Sequence, residues 1–229
     1  MVEQMMNLHL KTITFPAIIK RIVLATTFAT FFASANSNPT IDYIVNGSAV
    51  TPWELALNYG QEKLDDNGEA KTTRGSLVLR PETNEERGEV VRLIWKPKGI
   101  KNEWGTIDKN ILTATITNTM QMVDLSSVVS NAALTFDIKV NKAPKELVEL
   151  TLESEWDWQQ RASFPLKSVL KKIPAKEWVT LPIPLTCFSG GTLNFAKITS
   201  IMQLTTTGKM DVEISNIRLT ATSESSSCG

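Results

Sequence analysis

Apolar and polar residues alternate with a period of two along most of the chain, and long helical periodicity is missing. In AALTFDIKV, Leu134, Phe136, Ile138 and Val140 share one face while Thr135, Asp137 and Lys139 take the other. ELVELTLE repeats this with Val148, Leu150 and Leu152. GEVVRLIW (88–95) is apolar at most positions, which predicts a central strand. Further strands are predicted near 53–60, 74–80, 110–118, 177–185, 197–207 and 209–221. In the last, the apolar phase slips between Ile214 and Ile217, which predicts a β-bulge at Ser215-Asn216. Pro182 and Pro184 lack ladder donors, so their strand belongs at an edge.

Helical signal is limited to one capped turn over Asp124–Asn131 and a short helix or turn over Phe164–Ile173. QEKLDDNGEAKTT (61–73) reads as a long hairpin loop. About nine strands joined by polar turns predict an all-β fold, a single antiparallel β-sandwich.

The first 35 residues have the layout of an export signal. Lys11, Lys20 and Arg21 precede the apolar run Ile22–Phe32, and Ala33-Ser34-Ala35 supplies a small-x-small cleavage site. The run is too short and too interrupted to span a bilayer as a permanent helix, and an uncleaved anchor is the alternative to a cleaved signal. The expected organisation is a signal peptide over 1–35, a sandwich over 36–221, and a Ser-rich tail over 222–229 that carries Cys228. An exported protein, periplasmic or extracellular and free of the membrane after cleavage, follows from this reading.

Three basic residues and one acidic residue leave with the signal, so 21 basic residues face 23 acidic ones. That near-neutral balance gives no electrostatic reason to bind nucleic acid. The one histidine, His9, lies in the signal. Its loss excludes Ser-His-Asp or Cys-His catalysis and any histidine-ligated metal from the mature chain. Cys187 and Cys228 are the only cysteines. In an exported protein such a pair favours a disulfide, here one tying the tail to the body. Two free thiols, or Cys228 tethered elsewhere, are the alternatives.

Acidic residues fall on polar strand positions or in loops, and no pair stands out as glycosidase machinery, so no enzyme activity is expected. Asp65, Asp66, Asn67 and Glu69 have the chemistry of a structural calcium site without the spaced ligand pattern, and a plain surface loop is preferred. No cofactor is otherwise expected.

Aromatic residues supply the remaining chemistry, because flat indole faces pack on the C–H faces of sugars while polar neighbours bond the hydroxyls. Of six Trp, Trp95 is expected in the core, and Trp178 also fits a core position. Trp53 opens a strand, and Trp104 sits in the polar turn GIKNEWGT. In ESEWDWQQR (153–161), an extended backbone would put Trp156 and Trp158 on one side, roughly 6.5–7 Å apart. Those rings can form an exposed platform or plug the sandwich mouth; periodicity permits both.

The stretch WVTLPIPLTCFSGGTLNFAKITSIMQLTTTGKMDVEISNIRL resembles the end of the galactose-binding-like C-terminal domain of ExoP-type family-3 glycoside hydrolases, which act on mixed-linkage and 1,3- or 1,4-β-glucans. The pattern W-x-x-L-x-[VI]-P-L-x-C-F is met by Trp178, Leu181, Ile183, Pro184, Leu185, Cys187 and Phe188. A second block is met over Gly208–Leu219, and TPWELAL, GEVVRLIWKPKG and AALTFDIKVNKAP match upstream strands. Gly88-Glu89-Val90 departs from the family's acidic strand start, and ESEWDWQQR falls in no block of the pattern.

The resemblance implies a jelly-roll, galactose-binding-domain-like sandwich. It implies no catalytic residue, since those lie in domains with no counterpart here. The expected function is a non-catalytic carbohydrate-binding module for β-glucan-like polysaccharide. Trp156, Trp158 and Trp104 would carry it, supported by Asp157, Gln159 and Gln160. The alternative is an interaction subunit that docks on a separate glycoside hydrolase or envelope protein.

Overall fold

The structure is a computed structural model and describes residues 38, 40–98, 100–101, 107–108, 112–188, 190–222 and 228. The expected signal (1–35), Trp104 and most of the Ser-rich tail lie outside the described residues.

In chain order the strands are β1 (Asp42–Val45), β2 (Ser48–Ala49), β3 (Trp53–Leu57), β4 (Glu62–Lys63), β5 (Ala70–Lys71), β6 (Leu77–Asn84), β7 (Gly88–Trp95) and β8 (Ile100–Lys101). There follow β9 (Ile107–Asp108), β10 (Leu112–Asn118), β11 (Ala132–Lys142), β12 (Val148–Ser154), β13 (Arg161–Pro165), β14 (Trp178–Pro184), β15 (Ile198–Thr206) and β16 (Met210–Ala221). The single described α-helix, α1, covers Lys167–Lys172.

Two antiparallel sheets make the sandwich. Sheet A runs β14-β11-β16-β7-β6-β5, with β1 paired to β16 and β2 to β1. Sheet B runs β13-β12-β15-β10-β3-β4. The inward positions are the apolar ones expected from period two: Leu134, Phe136, Ile138 and Val140 from β11, and Val148, Leu150 and Leu152 from β12. Trp95 is buried among them, its indole N–H donating to the Leu112 carbonyl at 2.9 Å.

The bulge predicted from the phase slip is present. Asp137 pairs with Asn216 and Ile138 with Ile214, leaving Ser215 as the extra residue. It marks the point where the second neighbour of β16 changes. Met210–Ile214 pair with β7, while Ile217 and Arg218 pair with β1. The β1–β2 turn, Asn46-Gly47, wedges into that fork, and the Gly47 amide donates to the Ser215 carbonyl at 2.8 Å. Both turn residues have positive φ, and a Cβ on Gly47 would lie 2.5 Å from the Val90 carbonyl carbon. Asn-Gly is the preferred pair for such a turn. β14, with its two prolines, is an edge strand of sheet A.

Three readings are corrected. Residues 61–73 form no hairpin loop: β4 pairs with β3 in sheet B and β5 with β6 in sheet A, so the segment crosses between sheets. Trp178 is no core residue. It stands on the outer face of sheet A, with its indole N–H on Asn84 Oδ1 at 3.2 Å and the Lys139 and Arg87 cations 5.6 and 5.7 Å from its ring centre. Residues 155–160 are turned, with consequences for both indoles.

Candidate functional site

The β12–β13 connection carries Trp156, Asp157, Trp158, Gln159 and Gln160, five of the six expected contact residues, in one tight turn. Glu155 and Trp156 both adopt left-handed backbone, with φ of 60° and 53°. Non-glycine residues take that conformation at a cost of about 1–2 kcal/mol each, and a dense set of hydrogen bonds offsets it. The Glu155 amide donates to the Lys197 carbonyl, Asp157 to Ser154, Gln160 to Asp157, and Ser154 to Gln160. Asp157 Oδ1 accepts the Gln159 amide at 2.9 Å, so that carboxylate shapes the turn. Lys197 and Asn194 both bond the Glu155 carboxylate and hold it below its ordinary pKa.

The turn leaves both rings outside the core, Trp156 at 48% and Trp158 at 70% exposure. They are not stacked along one side of a strand. Trp156 lies back across the ends of β15 and β10, its backbone N–H on Thr199 Oγ1 at 3.1 Å and its indole N–H on the Asn118 carbonyl at 2.8 Å. Asn118 organises the next loop as well, because its Oδ1 accepts the Met120 and Gln121 amides. Its Nδ2 is buried without a partner among the described residues. Met120 and Met122, in that loop, are exposed at 76% and 40%.

Directly below the turn, Glu153 and Arg161 pair across β12 and β13 and begin a feature that sequence reasoning missed. Most outward side chains of sheet B are polar, yet Thr113, Thr115, Thr151 and Gln203 are 9% exposed or less. Long side chains from opposite edges of the sheet meet over this face. Arg161 on β13 and Tyr59, just past β3, belong to strands four spacings apart, roughly 19 Å in a flat sheet. Nevertheless the Arg161 guanidinium carbon sits 5.4 Å from the Tyr59 ring centre. The outer face of sheet B is therefore crossed by these two side chains, which meet over it. Glu153 Oε2 accepts Arg161 Nε at 2.7 Å and Gln203 Nε2 at 3.0 Å, which fixes both donors. Alternation was legible in these strands, but it says nothing about contacts between distant strands.

The outer face of sheet A is different. Arg92 grips Asp211 through two hydrogen bonds of 2.9 and 2.7 Å and also bonds Glu82. Asp137 accepts from Thr180, Asn216 and Arg218. Burial pushes the Asp137 and Asp211 carboxyls up, but the hydrogen bonds and cationic partners outweigh it and leave both below the ordinary carboxylate range. Glu213 takes Asn84, Asn141 and Lys139. These charges are spent on one another.

An apolar cleft of about 440 Å³ opens between the sheets at the β3–β4 flank, lined by Trp53, Leu55, Leu79 and Val91 and edged by the Glu54–Lys63 ion pair. Asp65 Oδ1 accepts the Asn67 and Glu69 amides, closing its own loop. Among the described residues, no group of three His, Cys, Asp or Glu is placed to hold a metal ion. Cys187 and Cys228 are joined by a disulfide with their Cα atoms 5.4 Å apart.

Two antiparallel sheets with a polar outer face and an indole-bearing turn define a galactose-binding-like β-sandwich. The chain belongs to the Exop_C family of galactose-binding domain-like proteins, whose profile matches residues 51–219. It is similar in structure to the extra C-terminal domain (X) of the exo-1,3/1,4-β-glucanase ExoP from a Pseudoalteromonas species, with a TM-score of 0.57 and 17% identity over 82% of this chain and 96% of that one. Against the whole glucanase the TM-score is 0.58 at 18% identity, covering 84% of this chain and 22% of the enzyme. A family 30 carbohydrate-binding module matches with a TM-score of 0.54 at 15% identity, over 81% of this chain and 89% of the module. No curated protein sequence matches the chain. At these identities the structural likeness establishes the fold.

Proposed function

We propose that the protein is an exported, non-catalytic carbohydrate-binding module that recognises β-glucan-like polysaccharide through the exposed faces of Trp156 and Trp158. The observation that carries this reading is the pairing of a 70%-exposed Trp158 with an anchored, half-exposed Trp156 in one rigid turn. An exposed indole on a rigid turn loses little entropy when a sugar packs on it. Gln159 and Gln160 supply amides beside it, Asp157 holds the turn, and Trp104 belongs to the same expected contact set. The family 30 module and the ExoP extra domain support the reading by their carbohydrate-active context. A non-catalytic role agrees with the lack of any histidine after residue 9.

Calorimetry of residues 36–229 against mixed-linkage β-glucan, β-1,3-glucan and cello-oligosaccharides tests the proposal. Saturable binding that disappears in the double variant Trp156→Ala, Trp158→Ala, measured at a temperature where the variant is fully folded, is the expected result. No binding to any of the three would overturn it. The exposed Met120 and Met122 beside Trp156 favour a second reading, a docking face for a partner glycoside hydrolase, since methionine adapts readily to protein surfaces. Co-purification of such an enzyme without glucan binding would select it.

A further inference from the structure

The near-neutral charge of the chain conceals an uneven distribution, because the two ends of the sandwich differ in sign. The end that carries the indole turn also carries the exposed Glu85, Glu86, Glu89 and Asp124. Its cations are engaged: Lys197 and Arg161 are held by Glu155 and Glu153, and Arg87 lies over Trp178. The opposite end is built from lysines. In sheet A the strands β7, β16, β11 and β14 are consecutive neighbours. Lys96 follows β7, Lys209 precedes β16, Lys142 closes β11 and Lys176 precedes β14. Backbone contacts bring these positions to one level. Met210 pairs with Trp95, Lys142 pairs with Asp211, and the Lys176 N–H donates to the Val140 carbonyl at 2.9 Å. Neighbouring strands lie about 4.8 Å apart, so the row crosses roughly 14 Å. Helix α1 adds Lys171 and Lys172 in its last turn.

These six lysines are exposed, and none holds an ion pair among the described residues. Beside the row, Asp211 is gripped by Arg92, which leaves the exposed Glu146 and Glu177 as counter-charges. Like charges gathered without partners repel one another in the folded protein, and a bound polyanion removes that cost.

We infer that this end of the sandwich binds a linear polysaccharide with a carboxylate on each sugar, a polyuronate. The spacing of the strand ends, about 4.8 Å, is close to the length of one pyranose residue, so successive lysines meet successive carboxylates. Arginine is a rigid fork that fixes one carboxylate or phosphate through two bonds, whereas lysine is a mobile point charge. Lysines set on separate strands therefore suit single charges repeated along a chain better than one compact anion. The indole turn sits at the far end of β12, whose 7 residues span roughly 23 Å. The two contacts are independent, and one molecule can hold a neutral glucan at one end and an acidic polysaccharide at the other.

Calorimetry of the protein with polygalacturonate, at low and at physiological ionic strength, tests this. The parent should bind saturably, and more weakly as salt rises. It should lose most of its affinity for the fully methyl-esterified polymer, which keeps the chain and lacks the charge. The triple variant Lys142→Gln, Lys176→Gln, Lys209→Gln should bind polygalacturonate about tenfold more weakly, as the loss of three exposed ion pairs implies. It should melt no lower than the parent and bind mixed-linkage β-glucan unchanged, while Trp158→Ala should show the reverse pattern of binding. Equal affinity of parent and triple variant for polygalacturonate, or no binding by the parent at low salt, would overturn the inference. So would tighter binding of duplex DNA or of phosphatidylglycerol vesicles than of polygalacturonate at the same salt. If the parent binds polygalacturonate through the lysines but no glucan, the indole reading fails and the lysine row stands.

Discussion

Trp156 donates its indole N–H to the Asn118 carbonyl at 2.8 Å, joining the β12–β13 turn to the end of β10. Among the described residues, no such bond engages the ring of Trp158, which is 70% exposed. The two indoles therefore do different jobs. Trp158→Ala should change unfolding free energy by no more than about 0.5 kcal/mol, as for ordinary surface positions, and should still abolish most glucan binding. Trp156→Phe retains an aromatic face and loses the bond, which predicts a loss of about 1 kcal/mol. Urea unfolding paired with calorimetry on each single variant checks both values.

Acid should weaken the fold through sheet A. Asp137 and Asp211 have folded pKa values below their unfolded ones, because Arg218, Thr180, Asn216, Arg92 and Asn141 stabilise the charged forms more than burial disfavours them. A depressed carboxylate pKa contributes stability that is fully present above the unfolded value, about 4. That contribution is lost as pH falls from there through the lower folded value. The urea midpoint should hold steady from neutral pH to about pH 5 and drop below it. Asp137→Asn should show a smaller drop, since one of the two linked protonations is gone.

Strand positions and core were legible because burial on one face writes itself into period two. The bounds of β7 match the apolar run in the sequence, and the slip between Ile214 and Ile217 locates the bulge that frees Ser215. The β1–β2 hairpin, with its Asn46-Gly47 turn, carries a local signal of the same kind. Two other features are not encoded locally. The two-residue strands β4 and β5 take opposite sheets, and nothing in their composition names a partner. The outer face of sheet B depends on Arg161 meeting Tyr59 across four strand spacings, and on threonines that alternation assigns to solvent but the fold buries. Trp178 misled for a related reason: it occupies a polar face whose charges close over it.

The disulfide ties position 228 to position 187 across 41 residues, beyond the end of β16. Cross-linking a loop of that length restricts the unfolded chain, and removing it should cost about 2–4 kcal/mol. Cys228→Ser, or reduction of the parent, should lower the urea midpoint accordingly. Cys187 leads into the segment that carries Gly191, packed on Arg161, and Thr192, whose hydroxyl donates to the Gln159 carbonyl of the indole-bearing turn. Loss of the cross-link should therefore also weaken glucan binding, as calorimetry well below the melting temperature would show.

Gly191 offers a way to move Arg161 without touching its side chain. A Cβ at position 191 would collide with the Arg161 carbonyl oxygen and fall 3.2 Å from Ala162 Cα. Backbone atoms of a paired strand cannot swing aside as a flexible side chain can, so the start of β13 or the loop that carries Gly191 must shift. Gly190 is the natural control, because a Cβ there meets nothing within 4 Å. Gly191→Ala should cost roughly 1–3 kcal/mol, in the range of other overpacking changes, while Gly190→Ala should be near neutral. Displacing Arg161 also disturbs its contacts with Glu153 and Tyr59 and the turn that follows Ser154. Gly191→Ala should thus bind β-glucan more weakly than the parent at temperatures where both are fully folded. Parent-like affinity in a destabilised Gly191→Ala protein would show that the position of β13 does not matter for the ligand.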